Sequence, residues 1–176
     1  MNITLFGSEN EVADVYKQAT IELAGLIANG GHTIVWGATD GGLMKVAVDT
    51  MQAQGAKIIG IGADYIKHKM RASADEIVMA KDMDDRNSKM LEMGHAILAL
   101  PGGVGTINEI TYVLRLKKHG FSKPIAALNT DNFFGGLKAQ LERMQSEGFL
   151  KNRLEDIICF ADTPGEAMRY IESNGN

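Results

Sequence analysis

Short apolar runs alternate with amphipathic stretches from one end of the chain to the other. The runs Ile3–Phe6, Thr33–Trp36, Lys57–Ile61, Glu76–Met79, Ala96–Leu100, Pro124–Leu128 and Ile157–Phe160 read as strands. Most are continuous rather than alternating, which suits parallel strands covered on both faces. Between the first two, Val12, Val15, Tyr16, Ala19, Leu23, Leu26 and Ile27 recur at steps of three and four, the spacing of one helical face. Asn29-Gly30-Gly31 supplies the residues that close such a helix. A second helix is expected over Phe133–Glu147, stopping at Gly148. A last one opens with Thr163-Pro164-Gly165-Glu166, a capping box with proline at the first helical position. Strands and helices joined by short connections predict an α/β fold: a doubly wound parallel sheet of about seven strands with helices on both faces. No linker, repeat or low-complexity segment interrupts the pattern, so residues 1–176 read as a single domain.

Composition narrows the function classes. At 45% hydrophobic and 23% charged, the 176 residues can bury a core, and no run approaches the ~18 apolar residues of a membrane helix. The opening MNITLFGSENEV has no basic region and no long apolar segment, so it is not a secretory signal and the expected location is the cytoplasm. Lys and Arg total 18 against 22 Asp and Glu, which leaves no general basic footprint for nucleic acid. Cys159 has no partner for a disulfide and, in the run IICF, is expected to be a small buried residue. His32, His68, His95 and His119 have no metal-ligand spacing, and no metal site is expected. His119, after two lysines at a helix end, reads as a cation complementing the dipole. The 20 glycines change the picture more, because they cluster where apolar runs end. In doubly wound sheets ligands bind outside the carboxyl ends of the strands.

The richest such turn is Leu98-Ala-Leu-Pro101-Gly102-Gly103-Val104-Gly105-Thr106-Ile107-Asn108-Glu109. A glycine-rich turn between strand and helix exposes amides that, with the helix dipole, favour an anion such as phosphate. Thr106 can add a hydroxyl, and Glu109 lies one turn further on the same face, placed for a sugar hydroxyl or a water. The same pattern also fits a tight turn followed by a glutamate that complements the dipole. It is neither a Walker A loop nor a dinucleotide fingerprint, since no Gly-Lys-Ser/Thr and no third GxGxxG glycine follow. In Asp82–Met90, helical spacing puts Met83, Arg86, Met90 and Met93 on one stripe, all expected to face inward. An inward arginine needs a partner, either a structural carboxylate or a ligand. Asp84 and Asp85 fit solvated acids at a helix start. The turns Gly37-Ala38-Thr39-Asp40-Gly41-Gly42 and Gly7-Ser8-Glu9-Asn10 could lend amides to the same pocket or serve as ordinary connections, with Ser8 or Asn10 as a helix cap.

Pro101-Gly-Gly-Val-Gly-Thr106-Ile-Asn-Glu109 resembles the PGGxGTxxE signature of the LOG (Lonely Guy) family. Further pieces occur in the family's order along nearly the whole chain: Phe6-Gly7-Ser8, Gly41-Gly42-Leu43-Met44, Asp82–Lys89, Lys123-Pro124 and Glu147-Gly148-Phe149. The resemblance implies a Rossmann-like nucleotide-binding domain and a homodimer. It implies a hydrolase that splits the N-glycosidic bond of a nucleoside 5′-monophosphate, AMP or an N6-modified AMP of the cytokinin type, into base and ribose 5-phosphate. In that reading Arg86 and Glu109 are catalytic. Gly102, Gly103, Val104, Gly105 and Thr106 bind phosphate, and Gly7, Ser8 and Gly41 line the pocket. No metal or cofactor is implied, and nothing in the sequence suggests the pyridoxal phosphate site that a lysine decarboxylase, a label often given to the family, requires. The chain departs from the family's Met-His-x-Arg-Lys, having Asp84 and Asn87 beside Arg86, and carries Asn108 where a second glutamate is common. These departures favour a rival reading, a non-catalytic carrier of a nucleotide or a phosphate-bearing cofactor. A regulatory module that senses a nucleotide is a third.

Overall fold

A computed structural model describes residues 1–175. It contains seven strands: β1 (Asn2–Phe6), β2 (Thr33–Trp36), β3 (Ile58–Ala63), β4 (Glu76–Ala80), β5 (Ala96–Ala99), β6 (Ile125–Leu128) and β7 (Cys159–Ala161). The helices are α1 (Asp14–Asn29), α2 (Gly42–Ala53), α3 (Met83–Met93), α4 (Val104–Lys117), α5 (Gly135–Ser146), the single turn α6 (Leu154–Ile157) and α7 (Pro164–Asn174). All strand pairs are parallel, in the order β4-β3-β2-β1-β5-β6-β7. The chain winds outward from β1 to β4, then crosses back to lay β5 on the other side of β1.

Alternate residues of the inner strands feed two cores, which is why their apolar runs are continuous, whereas the edge strand β4 leaves Ile77 and Met79 exposed. Ile3, Leu5, Ile34, Trp36 and Leu98 pack under α1, α2 and α7. Phe6, Val35, Ile61, Ile97 and Ile125 pack under α3, α4, α5 and α6. The predicted capping box of α7 forms: Thr163 Oγ1 accepts from the Glu166 N–H, and the Glu166 carboxylate accepts from the Thr163 N–H. Gly148 takes the left-handed conformation (φ 82°) just beyond α5.

Four expectations need correction. The β7 run was placed too early, because Leu154–Ile157 closes a helical turn and the strand begins at Cys159. Cys159 is only half-buried, since β7 is an edge strand with one open flank. Val12 precedes α1, whose first residue is Asp14. Met83 does not face inward: it is the first residue of α3, 57% exposed, where the helix has yet to reach the sheet. No helix among the described residues is long and apolar enough to cross a membrane.

Candidate active site

The reversal of winding between β1 and β5 opens a crevice at the carboxyl ends of these strands, the place where such sheets bind ligands. Three turns meet there. The Ser8 N–H donates to the Pro101 carbonyl (3.2 Å), and the Ser8 carbonyl accepts from the Met44 N–H (3.3 Å), so the turns after β1, β2 and β5 are tied together. The result is a cavity of about 400 Å³. Gly7, Ser8, Gly103, Val104, Gly105 and Thr106 form one part of its wall; Arg86 and Glu109 form another.

The residues of the glycine-rich turn after β5 fall into two roles. Gly103 is the N-cap of α4, and no side chain caps the helix. The first-turn amides that lack intrahelical partners are therefore left to whatever occupies the cavity. Val104 is 87% exposed, while Thr106 is buried against the turn. Gly102 does not line the cavity; it sits behind Thr106, whose hydroxyl occupies the space that a Cβ at position 102 would take. Gly41 likewise lies outside the main wall. It borders a smaller hollow with Glu9, Asn10, Asp40 and Lys69, and its bare α-carbon lets the Glu9 carbonyl approach. Gly42 follows with φ 49°, a conformation that suits glycine.

Arg86 reaches the cavity from α3, and among the described residues no carboxylate forms an ion pair with it. Its Nε donates to the Ile61 carbonyl (3.0 Å) and its Nη2 to the Gly37 carbonyl (2.7 Å). Asp85, its neighbour, serves the start of α3 instead: its carboxylate accepts from the Lys81 N–H (2.9 Å) and from Lys89 (2.5 Å). Those contacts hold its carboxyl below the usual range, the Lys89 hydrogen bond first. Asp82 is the N-cap, accepting from the Asp85 N–H (2.8 Å). Glu109 projects from α4 one turn beyond Thr106, as the spacing predicted. Burial pushes its carboxyl up from 4.5 to about 7, against the opposing pull of the Arg86 charge. An acid poised near neutrality beside a fixed guanidinium can exist in either protonation state under ordinary conditions, which is what acid–base chemistry needs.

Sequence reasoning missed part of the wall. Tyr65 and Ile66 line the cavity from a short helical turn, Asp64–Lys69, between β3 and β4. That segment carries no glycine cluster and no apolar period. It is placed by tertiary ties: Arg71 donates to Asp40 (2.7 Å) and Asp49 (2.6 Å) and to Gln52 (2.6 Å and 3.1 Å), and Asp40 N–H donates to the Lys69 carbonyl (3.0 Å). Asn87 and Asn108 also line the cavity, so two of the family departures face the same space as Arg86 and Glu109.

Comparison with known proteins places this geometry. Among solved structures, a molybdenum cofactor binding protein from Rippkaea orientalis superposes with a TM-score of 0.75 at 20% identity, covering 98% of this chain and 95% of that one. A molybdenum cofactor carrier protein from Chlamydomonas reinhardtii gives 0.74 at 18%, covering 98% and 96%. At such identity these establish the shared fold. Among curated relatives, a probable cytokinin riboside 5′-monophosphate phosphoribohydrolase of Oryza sativa subsp. japonica is 29% identical, over 90% of this chain and 72% of the relative. A cytokinin riboside 5′-monophosphate phosphoribohydrolase of Arabidopsis thaliana is 27% identical, over 94% and 79%. The family model described as possible lysine decarboxylase matches residues 44–171, a span that takes in Arg86 and the whole of the Pro101–Glu109 turn, and the chain therefore belongs to that family, the LOG family.

Proposed function

We propose that the protein hydrolyses the N-glycosidic bond of a nucleoside 5′-monophosphate, releasing the base and ribose 5-phosphate. One observation carries the reading: Arg86 and Glu109 share a cavity with an uncapped, glycine-rich helix start. The 5′-phosphate accepts from the amides of Val104, Gly105 and Thr106 and from the Thr106 hydroxyl, where the helix dipole favours its charge. The ribose then lies one helical turn away, against Glu109. As the C1′–N bond breaks, its electron pair leaves with the base and positive charge grows on the ribose. The Glu109 carboxylate stabilises that charge and takes a proton from the water that adds to C1′. The departing base takes a proton from solvent, while the guanidinium of Arg86 holds the leaving group in a reactive pose. The role of Gly102 is then to seat Thr106, and that of Gly41 to shape the wall behind Ser8.

The decarboxylation in the family's description does not fit the residues. That chemistry uses pyridoxal phosphate held as a Schiff base on a lysine, and no lysine lines the cavity among the described residues. The carrier reading keeps specific support: Asn87 and Asn108 face the cavity where the family favours a lysine and a glutamate, and the molybdenum cofactor binding and carrier proteins named above share the fold.

The test is incubation with a panel of nucleoside monophosphates, including AMP and N6-isopentenyl-AMP, followed by chromatography for free base. Base release by the wild type, slower in Glu109→Gln by roughly a hundred- to a thousandfold for the lost charge stabilisation, supports the hydrolase. No release from any substrate, with a monophosphate still bound, overturns it in favour of the carrier. The homodimer implied by the family resemblance belongs to the same proposal; a solution mass near that of one 19.0 kDa chain would remove it.

A further inference from the structure

Gly37 poses a question that its own backbone does not answer. Its φ is not among the positive values of the chain, so the turn there does not demand glycine. The next residue does take a left-handed conformation, yet it is Ala38 (φ 60°). The glycine therefore stands where any residue could fold, and an alanine stands where glycine would be easier.

The neighbour explains it. A Cβ built on Gly37 would land on Nη2 of Arg86 and 2.7 Å from its Cζ. The space is already taken by the guanidinium, which donates from Nη2 to the Gly37 carbonyl (2.7 Å) and from Nε to the Ile61 carbonyl (3.0 Å). One acceptor lies just beyond β2 and the other within the adjacent strand β3, and they spend two of the five guanidinium donors. The remaining three are left for the cavity. The Gly37 turn is itself fastened: Trp36 Nε1 donates to the Thr39 carbonyl (3.0 Å), and the Arg71 N–H to the Ala38 carbonyl (2.8 Å).

We propose that Gly37 is a positioning residue: its bare α-carbon and its carbonyl, with the Ile61 carbonyl, form a socket that holds the Arg86 guanidinium in the cavity facing Glu109. A side chain at position 37 would meet the far end of a flexible arginine rather than backbone, so the relief is for Arg86 to leave its socket. The other charged group on the cavity wall, the Glu9 carboxylate from the segment after β1, is paired with Lys69 (2.9 Å). The kinetic arm of the test rests on the hydrolase reading; the socket itself does not.

The decisive experiment is carboxyl ¹³C NMR of glutamate-labelled protein, with the Glu109 resonance identified by its loss in Glu109→Gln. Arg86 lowers the Glu109 midpoint, so Gly37→Ala is expected to move it above the wild-type value of about 7, in the same direction as Arg86→Ala. In the Arg86→Ala background, Gly37→Ala should add nothing, because nothing is left in the socket to displace. An unmoved midpoint in Gly37→Ala overturns the proposal, and so does an equal movement in both backgrounds. If Gly37→Ala alone fails to fold, folding of the double variant Gly37→Ala/Arg86→Ala supports the socket, and failure of both overturns it. With hydrolysis in hand, Gly37→Ala should lower kcat roughly a hundredfold by misplacing a group at the reacting centre, with KM little changed. Absence of base release by the wild type would remove the hydrolase reading and leave the titration as a test of the socket.

Discussion

Glu109 carries a stability cost along with its chemistry. In the folded chain it holds its proton up to about pH 7, whereas in the unfolded chain it releases it near 4.5. Between these values the native state binds more protons than the unfolded one, so this group makes stability fall as pH rises through the window. The full displacement corresponds to about 3 kcal/mol at most, lost above pH 7 and intact below 4.5. Glu109→Gln is neutral at every pH. Urea unfolding should therefore find it matching the wild type at pH 4 and more stable by ~1–3 kcal/mol at pH 8. A gain of the same size at both values would show that ionisation of Glu109 is not its source. On the proposed hydrolysis the rate has the opposite dependence: with Glu109 acting as the carboxylate, a pH–rate profile should show turnover rising through pH 7. How much of this was legible varies by residue. The step of three from Thr106 to Glu109 was readable because a helix enforces it. The inward turn of Arg86 followed from Met90 on the same stripe. That Gly102 serves Thr106, and that Gly37 serves Arg86, depends on atoms brought together from distant segments, for which no local pattern exists.

At the scale of elements, what could be read is what the backbone period dictates. The seven strands announced themselves because a parallel sheet buried on both faces needs unbroken apolar runs. Their ends moved by a residue or two where the run continued past the last paired residue, as at Leu100, or stopped short of it, as at Ala63. The edge strand β7 was the least well placed, since the apolar residues just before it, Leu154 and Ile157, are spent on a helical turn over the second core. The turn Asp64–Lys69 was invisible for a different reason. Its sequence, DYIKHK, holds no amphipathic period, and its position is imposed by the partly buried Arg71 guanidinium bridging Asp40, Asp49 and Gln52. Tyr65 and Ile66 reach the cavity wall through that bridge, so the wall opposite the phosphate turn is a product of long-range ion pairing rather than of local propensity.

For the whole molecule, the sheet order decides where a ligand can sit, and the ligand in turn reports on the sheet. The turns after β1, β2 and β5 meet at the cavity, so a nucleotide bound there ties both halves of the doubly wound sheet to one object. A ligand that binds only the folded chain, at about a hundred times its Kd, adds roughly 2.7 kcal/mol to stability. For a domain of this size that is a rise in Tm of roughly 5–10 °C. Glu109→Gln is the right background for the measurement, since it keeps the ligand intact. AMP should raise its melting temperature, and adenosine at the same concentration should raise it less, because only AMP engages the amides at the start of α4. Thr106→Val, added to that background, should pull the AMP shift toward the adenosine value by removing the hydroxyl that adjoins those amides. Equal shifts for AMP and adenosine would mean that the glycine-rich turn does not hold a phosphate. The cavity would then select its ligand from the Tyr65 and Met83 side, and the division of labour between phosphate turn and Arg86–Glu109 pair would have to be redrawn from there.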